Sequence, residues 1–253
     1  MNYDQEGTGP ALVLLPGLGC DRRMWEPVAK ELRRRFTLIH PHTWTLGSSH
    51  AASRALGGLL DELGWERVGL AGLSMGGYVA FECLRHWPEK IQAVALLDTT
   101  AFPDPPQRTE KRKQVLRLLD AGRFDEVLEA FVASVLHDDH LPRGPVAELM
   151  REMGRAVGPA AFAACTEGIL HRGSYEEVLR EIRVPTLFLV GEADSLTPPE
   201  VARRMAKEVP GARVEIVPGA AHMSPLENPA RVAQALSAFM GPALGGSRPA
   251  STG

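Results

Sequence analysis

The chain has 253 residues, 44% of them hydrophobic, and a formal net charge of −3. That length suits one large α/β domain, or a domain carrying an insertion, with ample apolar material for a core. The weakly acidic balance gives no electrostatic footprint for nucleic acid or an anionic membrane surface, and no apolar run approaches the ~18 residues of a membrane span. The opening Met1-Asn2-Tyr3-Asp4-Gln5-Glu6 lacks the basic-then-apolar pattern of a signal peptide. Cys20, Cys83 and Cys165 are odd in number, scattered, and without metal-ligand spacing. They fit a reducing cytoplasm better than a disulfide framework.

Taken in chain order, residues 11–15 read as an apolar strand that ends at Pro16-Gly17. A helix is expected over 22–35, a strand over 36–40, and a helix over 50–63 with Leu56, Leu59, Leu60 and Leu63 on one face. Arg67-Val68-Gly69-Leu70-Ala71 reads as a buried strand, the stretch from Tyr78 to Leu84 as a helix, and 91–97 as a further strand. Repeated βα units predict a parallel sheet with helices on both faces. The alternation then stops. Residues 102–183 carry helical periodicity only, as in Phe124, Val127, Leu128, Phe131 and Val135. It resumes with a strand over 185–190, a helix over 199–209, a strand over 213–217 and a helix over 225–240, before a Gly/Pro/Ser/Ala-rich tail, 241–253, expected to be disordered. The α/β core, 1–101 and 184–240, is thus split by an insertion over 102–183. An excursion of that length at the C-terminal end of a strand reads as a lid over a site.

The most informative stretch is Gly72-Leu73-Ser74-Met75-Gly76-Gly77, at a strand-to-helix turn. A serine flanked two residues away on each side by glycine is a nucleophile elbow, whose tight turn holds the hydroxyl clear of the sheet at a helix N-terminus. A serine needs a base, and the base needs an acid to orient it. Of eight histidines, His222 in Gly219-Ala220-Ala221-His222-Met223 lies between the last strand and the last helix, at the same sheet edge as Ser74. His40 and His42 also follow a strand and could reach that rim; His137 and His140 could resemble metal ligands but have no third companion. For the acid, Asp194 follows the 185–190 strand, and Asp98, ending the 91–97 strand, is its rival. The order Ser74, Asp194, His222 is that of an α/β-hydrolase. Two backbone N–H groups, of Met75 and of Leu18 in Pro16-Gly17-Leu18-Gly19-Cys20, are placed to form an oxyanion hole.

With these motifs, and with Val190-Gly191-Glu192-Ala193-Asp194 and Glu227-Asn228-Pro229, the chain resembles the α/β-hydrolase superfamily over about residues 10 to 240. Within it the likeness is to small capped serine hydrolases: esterases, lactonases, thioesterases and C–C bond hydrolases. The resemblance implies an α/β-hydrolase fold, a mostly parallel doubly wound sheet with a helical cap inserted after the strand that follows the nucleophile helix. Many relatives have His-Gly where this chain has Pro16-Gly17, and the N-terminus leaves room for little of their opening hairpin. Six strands in the parallel series and one short antiparallel addition are therefore expected. Ser74 argues against the aspartate nucleophile of dehalogenases and epoxide hydrolases.

Trp25, Phe102, Phe124, Phe131 and Met223 are candidates for the substrate pocket, with Phe162, Ile169, Met153 and Trp44 as further wall candidates. The basic run Arg108-Thr109-Glu110-Lys111-Arg112-Lys113 either attracts an anionic substrate or is a solvated helix face. The resulting expectation is a cytoplasmic serine hydrolase of small carboxylic esters, working through an acyl-enzyme, with no metal or organic cofactor and no nucleic-acid or membrane partner. Enol-lactones, thioesters or C–C bonds are the alternative substrates, and a non-catalytic small-molecule binder is the alternative of a different class.

Overall fold

A computed structural model describes residues 1–140 and 144–245. The chain runs β1 (Tyr3–Gly7), β2 (Ala11–Leu15), α1 (Glu26–Leu32), β3 (Thr37–Pro41), α2 (Ser49–Glu62), β4 (Val68–Leu73), α3 (Met75–His86) and β5 (Ile91–Leu97). Four helices follow, α4 (Pro106–Asp120), α5 (Phe124–Val135), α6 (Pro145–Leu170) and α7 (Glu176–Glu181). The chain then closes with β6 (Thr186–Gly191), α8 (Pro199–Glu208), β7 (Arg213–Val217), α9 (Ser224–Glu227) and α10 (Pro229–Leu244). The seven strands form one sheet in the order β1-β3-β2-β4-β5-β6-β7. β2 to β7 are parallel, and β1 pairs antiparallel with β3. This is the expected six-strand parallel series with one short antiparallel addition.

The side-chain period of two explains why helices cover both faces. In β2, Leu12 and Leu14 pack with Val28 and Leu32 of α1 and Leu236 of α10, whereas Val13 and Leu15 join Leu56 and Leu60 of α2 and Val79 of α3 on the opposite face. All five β2 residues are buried, as strands covered on both faces must be. The order reverses between β2 and β4, and ligands bind at such a switch point, outside the carboxyl ends of the strands. Register brings those ends level: Leu15 pairs with Gly72, Leu73 with Leu97, and Leu97 with Leu189.

Several boundaries differ from expectation, each for a local reason. The 22–35 helix divides into a 3-10 turn, Arg22–Met24, and α1, because Pro27 sits in the first turn of α1 and begins a new helix there. The 225–240 helix divides into α9 and α10 at Asn228-Pro229, where the Asn228 side chain accepts from Arg231 N at 3.3 Å and caps α10. α10 also runs on to Leu244, which is buried, so the segment expected to be disordered from 241 begins as helix; 246–253 lie outside the described residues. Within α6, Gly158 adopts φ 79°, ψ 162° directly before Pro159, and the helix bends there. α7 packs on the body of the molecule, with Val178 and Leu179 in the same cluster as Tyr78 and Phe81 of α3.

The turn from β4 into α3 is tightly constrained. Ser74 has φ 52° and ψ −111°, and Ser74 and Asp98 are the two non-glycine residues with positive φ among the described residues. Such a conformation costs about 1–3 kcal/mol and persists only where its surroundings over-determine it. Ser74 N–H donates to Leu97 O at 2.9 Å, and its carbonyl accepts from Gly77 N at 2.9 Å and Thr99 Oγ1 at 2.8 Å. A Cβ at Gly72 would collide with the Gly76 carbonyl, and one at Gly76 with the Leu15 carbonyl. Gly76→Ala is therefore expected to destabilise the fold by about 1–3 kcal/mol. Gly58→Ala, in the exposed interior of α2 with open space around it, should stabilise it by about 0.5–1 kcal/mol. Urea denaturation of the two variants checks both signs; a Gly76→Ala protein as stable as the parent would contradict the close-packed turn.

Candidate active site

The Ser74 hydroxyl stands at the end of β4, and three further loops converge on it. His222 Nε2 lies 2.9 Å from Ser74 Oγ, and His222 Nδ1 lies 2.9 Å from Asp194 Oδ2. The structure thus brings the serine, histidine and favoured aspartate of the sequence into one continuous chain of hydrogen bonds. His222 and Asp194 are buried, while Ser74 keeps partial access to solvent.

Each partner is held by its own loop. Asp194 follows β6 and accepts from Leu196 N at 2.8 Å, Thr197 N at 3.0 Å and Thr197 Oγ1 at 2.6 Å. Burial alone would push the Asp194 carboxyl up. The adjoining His222 charge, together with hydrogen bonds from His222 and Thr197, outweighs burial and brings it down to about 2. The carboxylate is therefore ionised throughout the neutral range. The His222 loop is fixed by Glu227, whose carboxylate accepts from Ala221 N at 3.1 Å and Met223 N at 2.9 Å, and by His222 N–H donating to Val135 O of α5 at 3.1 Å. Thr197 was not anticipated from sequence. A threonine three residues after an aspartate is a common Asx-type loop pattern and carries no chemistry until the fold places both beside a histidine.

Asp98 takes a different part from its rival. It is buried, accepts from Gly191 N at 2.8 Å, and lies 2.5 Å from Ser224 Oγ through its other oxygen. It therefore ties the end of β5 to the end of β6 and to the start of α9, the two loops that carry Asp194 and His222. No hydrogen bond joins it to His222 among those of the described residues. Burial, then the neighbouring Asp194 charge, push its carboxyl well above the usual carboxylate range.

The loop after β2 lies against the elbow. A Cβ on Gly17 would stand 3.0 Å from Leu73 Cδ2 and 3.7 Å from Ser74 Cβ. Cys20 Sγ donates to Leu18 O at 3.4 Å, and Cys20 N to Gly17 O at 3.3 Å, so the turn is braced from within. Met75 opens α3, where the first N–H groups have no intrahelical acceptor.

Ser74, His222 and Leu18 line a cavity of about 800 Å³, within the range of small-molecule sites. Its apolar wall comes from α4, α5 and α6, including Val115, Leu118, Phe131, Phe162 and Ile169. Of the five pocket candidates, Phe131 is in this lining and the others are not. Trp25 is fully buried beneath α1 and caps it, its carbonyl accepting from Ala29 N at 2.8 Å. Met223 is buried in the core although it adjoins His222. Phe124 packs edge-on against Phe162 at 5.9 Å from behind the wall, and Phe102 lies under the Arg204 guanidinium at 3.6 Å. Met153 is core and Trp44 stacks on His42. His40 and His42 sit beside the edge strand, with His42 Nε2 2.8 Å from Asp4 Oδ2. The basic run divides: Arg108, Lys111 and Arg112 are among the residues lining the cavity, Arg112 also pairing with Asp104 at 2.5 Å, whereas Lys113 pairs with Glu110.

Comparison with known proteins agrees with this architecture. A family model described as the alpha/beta hydrolase family matches residues 12–235. A pimeloyl-[acyl-carrier protein] methyl ester esterase of Legionella pneumophila is 26% identical over 233 residues, covering 88% of this chain and 92% of that protein. Among solved structures, a thermophilic esterase from Thermogutta terrifontis, with malate bound, superposes with a TM-score of 0.90 at 30% identity, covering 96% of this chain and 93% of the other. An enol-lactonase from Burkholderia xenovorans shares the fold, with a TM-score of 0.84 at 23% identity and coverage of 94% and 95%. The chain belongs to the alpha/beta hydrolase family.

Proposed function

We propose that the protein is a serine hydrolase of small carboxylic esters. The observation that carries this reading is the hydrogen-bond chain from Ser74 through His222 to Asp194, opening into a largely apolar cavity. The esterase names of the Legionella and Thermogutta proteins agree with it. His222 Nε2 takes the Ser74 proton as Oγ attacks the acyl carbon. The N–H groups of Met75 and Leu18 hold the oxyanion, each donor worth about 2.7–4 kcal/mol of barrier. Asp194 keeps the Nδ1–H tautomer in place and stabilises the imidazolium. The tetrahedral adduct collapses, the alcohol leaves with the proton from His222, and an acyl-Ser74 ester remains. Water, deprotonated by His222, attacks that ester, and collapse returns the proton to Ser74 Oγ and frees the acid. No cofactor enters these steps.

The insertion over 102–183, above all α4 to α6, acts as the cap that shapes the acyl pocket and limits water. Among the described residues no helix is long and apolar enough to cross a membrane, and three buried free thiols suit a reducing compartment. The buried thiols support a cytoplasmic location for the enzyme, and the cavity supports a small-molecule substrate.

Hydrolysis of p-nitrophenyl esters of graded acyl length, by wild type and Ser74→Ala together, tests the reading. Wild type should turn over short esters, and Ser74→Ala should lose that activity while keeping its melting temperature. Undiminished turnover by the variant would sink the scheme. Failure of every ester, with Ser74 still reactive toward a phosphonate, would move the substrate to lactones, thioesters or C–C bonds.

The two aspartates should separate cleanly. Asp194→Asn is expected to lower kcat by about 10⁴-fold, whereas Asp98→Asn should retain most activity. The reverse order in steady-state kinetics would assign the acid to Asp98. Stability gives a second contrast. A carboxyl raised in the folded state loses stability as pH climbs from the unfolded value, near 3.9, toward its folded one. Asp98→Asn removes that loss, so its melting temperature relative to wild type should rise as pH climbs above about 4. For Asp194 the sign is opposite: its contribution is present above about 3.9 and is lost as pH falls toward 2. A kcat/KM profile flat from about pH 5 to 8 would contradict a histidine base.

A further inference from the structure

His50, Glu82 and His86 meet on the outer surface where α2 and α3 pack. His86 Nε2 is 3.1 Å from His50 Nδ1 and 3.1 Å from Glu82 Oε2, and His50 Nδ1 is 3.5 Å from that same oxygen. Three lone-pair atoms therefore form a nearly equilateral triangle. A Zn²⁺ ion bound tetrahedrally at about 2.0–2.1 Å from each ligand spaces its donors about 3.3 Å apart. The triangle has the dimensions of one face of that tetrahedron.

Hydrogen bonds already link the three groups, with His86 Nε2 within reach of both His50 Nδ1 and Glu82 Oε2. A single proton on His86 Nε2 has two acceptors converging on it, and a second imidazole N–H aimed inward would oppose the first. The carboxylate is anchored independently: Glu82 is buried, and its other oxygen accepts from Arg85 Nη1 at 3.0 Å. Arg85 is itself held, over the Tyr175 ring at 5.1 Å and on Ser174 O at 3.3 Å. An outer partner of this kind fixes the orientation of a ligating carboxylate. Glu82 and His86 lie four apart on α3, so they share a face, and His50 comes from the first turn of α2. His50 is 56% exposed and His86 34% exposed, so an ion has an entry path and room for a water in its fourth position.

We propose that His50, Glu82 and His86 form a binding site for a divalent transition-metal ion of the Zn²⁺ class. Two imidazoles and one carboxylate exclude Ca²⁺ and Mg²⁺, which take oxygen ligands, and suit Zn²⁺, with Ni²⁺ and Cu²⁺ as chemical competitors. The site is separate from Ser74. His86 ends α3 and Ser74 precedes it, twelve residues apart, or about 18 Å at 1.5 Å per residue. The ion's effect is to staple the start of α2 to the end of the helix that carries the elbow, which stabilises the native state by mass action.

The test is calorimetric titration of metal-free, tag-free protein with ZnCl₂, with thermal melts in parallel. The proteins are wild type, His50→Ala, His86→Ala and, as a control, His171→Ala at the C-cap of α6, which is outside the triangle. Wild type and His171→Ala should bind one equivalent alike and melt at higher temperature with zinc. Each of the other two variants should bind at least tenfold more weakly and lose the thermal shift. Both replaced histidines are surface groups, so the variants should fold, and their zinc-free melts check this. Co²⁺ gives a second readout, with visible d–d bands of tetrahedral intensity in wild type that vanish in His86→Ala. No saturable uptake by wild type, or a loss smaller than tenfold in either histidine variant, overturns the proposal.

Discussion

The backbone of Ser74 is the constraint on which the rest of the molecule turns. A non-glycine residue at φ 52° is uphill by itself, and the surrounding architecture is what holds it. Leu97 at the end of β5, Thr99 beyond it and Gly77 in α3 all bond to the Ser74 peptide. Leu15 at the end of β2 packs so closely on Gly76 that a methyl group does not fit. The two strands flanking β4, β2 and β5, thus fix one turn. Strand register, through Leu15 with Gly72 and Leu73 with Leu97, carries that turn to the level of the other loops at the carboxyl edge. The sheet is the device that makes a strained serine affordable.

Around that turn, two buried aspartates do different work because their partners differ. Asp194 faces an imidazole and three donors, and its charge is stabilised. Asp98 faces one backbone N–H, one hydroxyl and the negative charge of Asp194 itself, and its charge is opposed. Low local dielectric magnifies both outcomes. The pair follows a general pattern in which neighbouring carboxyls are driven apart by environment: one is a fixed negative charge beside His222, and the other a tie between the loops. The cap side contributes as well, since the carbonyl of Val135 in α5 holds the His222 backbone.

Much of this was legible in the sequence. Strand alternation with helices located β2 to β7, because buried strands and amphipathic helices leave different periods. The glycine spacing around Ser74 identified the elbow, because a steric requirement falls on fixed neighbours in the chain. The pocket wall was not legible in the same way. Trp25, Phe102, Phe124 and Met223 are large apolar residues near the right loops, yet which side of a helix or loop faces a cavity depends on the packing of elements distant in sequence. Phe131 and Phe162 differ from Phe124 only in that orientation, and they meet across α5 and α6 at 5.4 Å. Asp98 and Asp194 were likewise both at strand ends, and only three-dimensional placement separates them. The His50, Glu82 and His86 triangle is the extreme case: Glu82 and His86 share a helix face at i, i+4, but His50 comes from another helix and no spacing links it to them.

Intact-protein and peptide mass spectrometry after reaction with a fluorophosphonate tests the central claim most directly, that Ser74 is a nucleophile activated by His222. The account predicts one adduct, on Ser74, formed rapidly in wild type and far more slowly in His222→Ala. An adduct on another residue, no adduct, or equal rates with and without the His222 imidazole would contradict it.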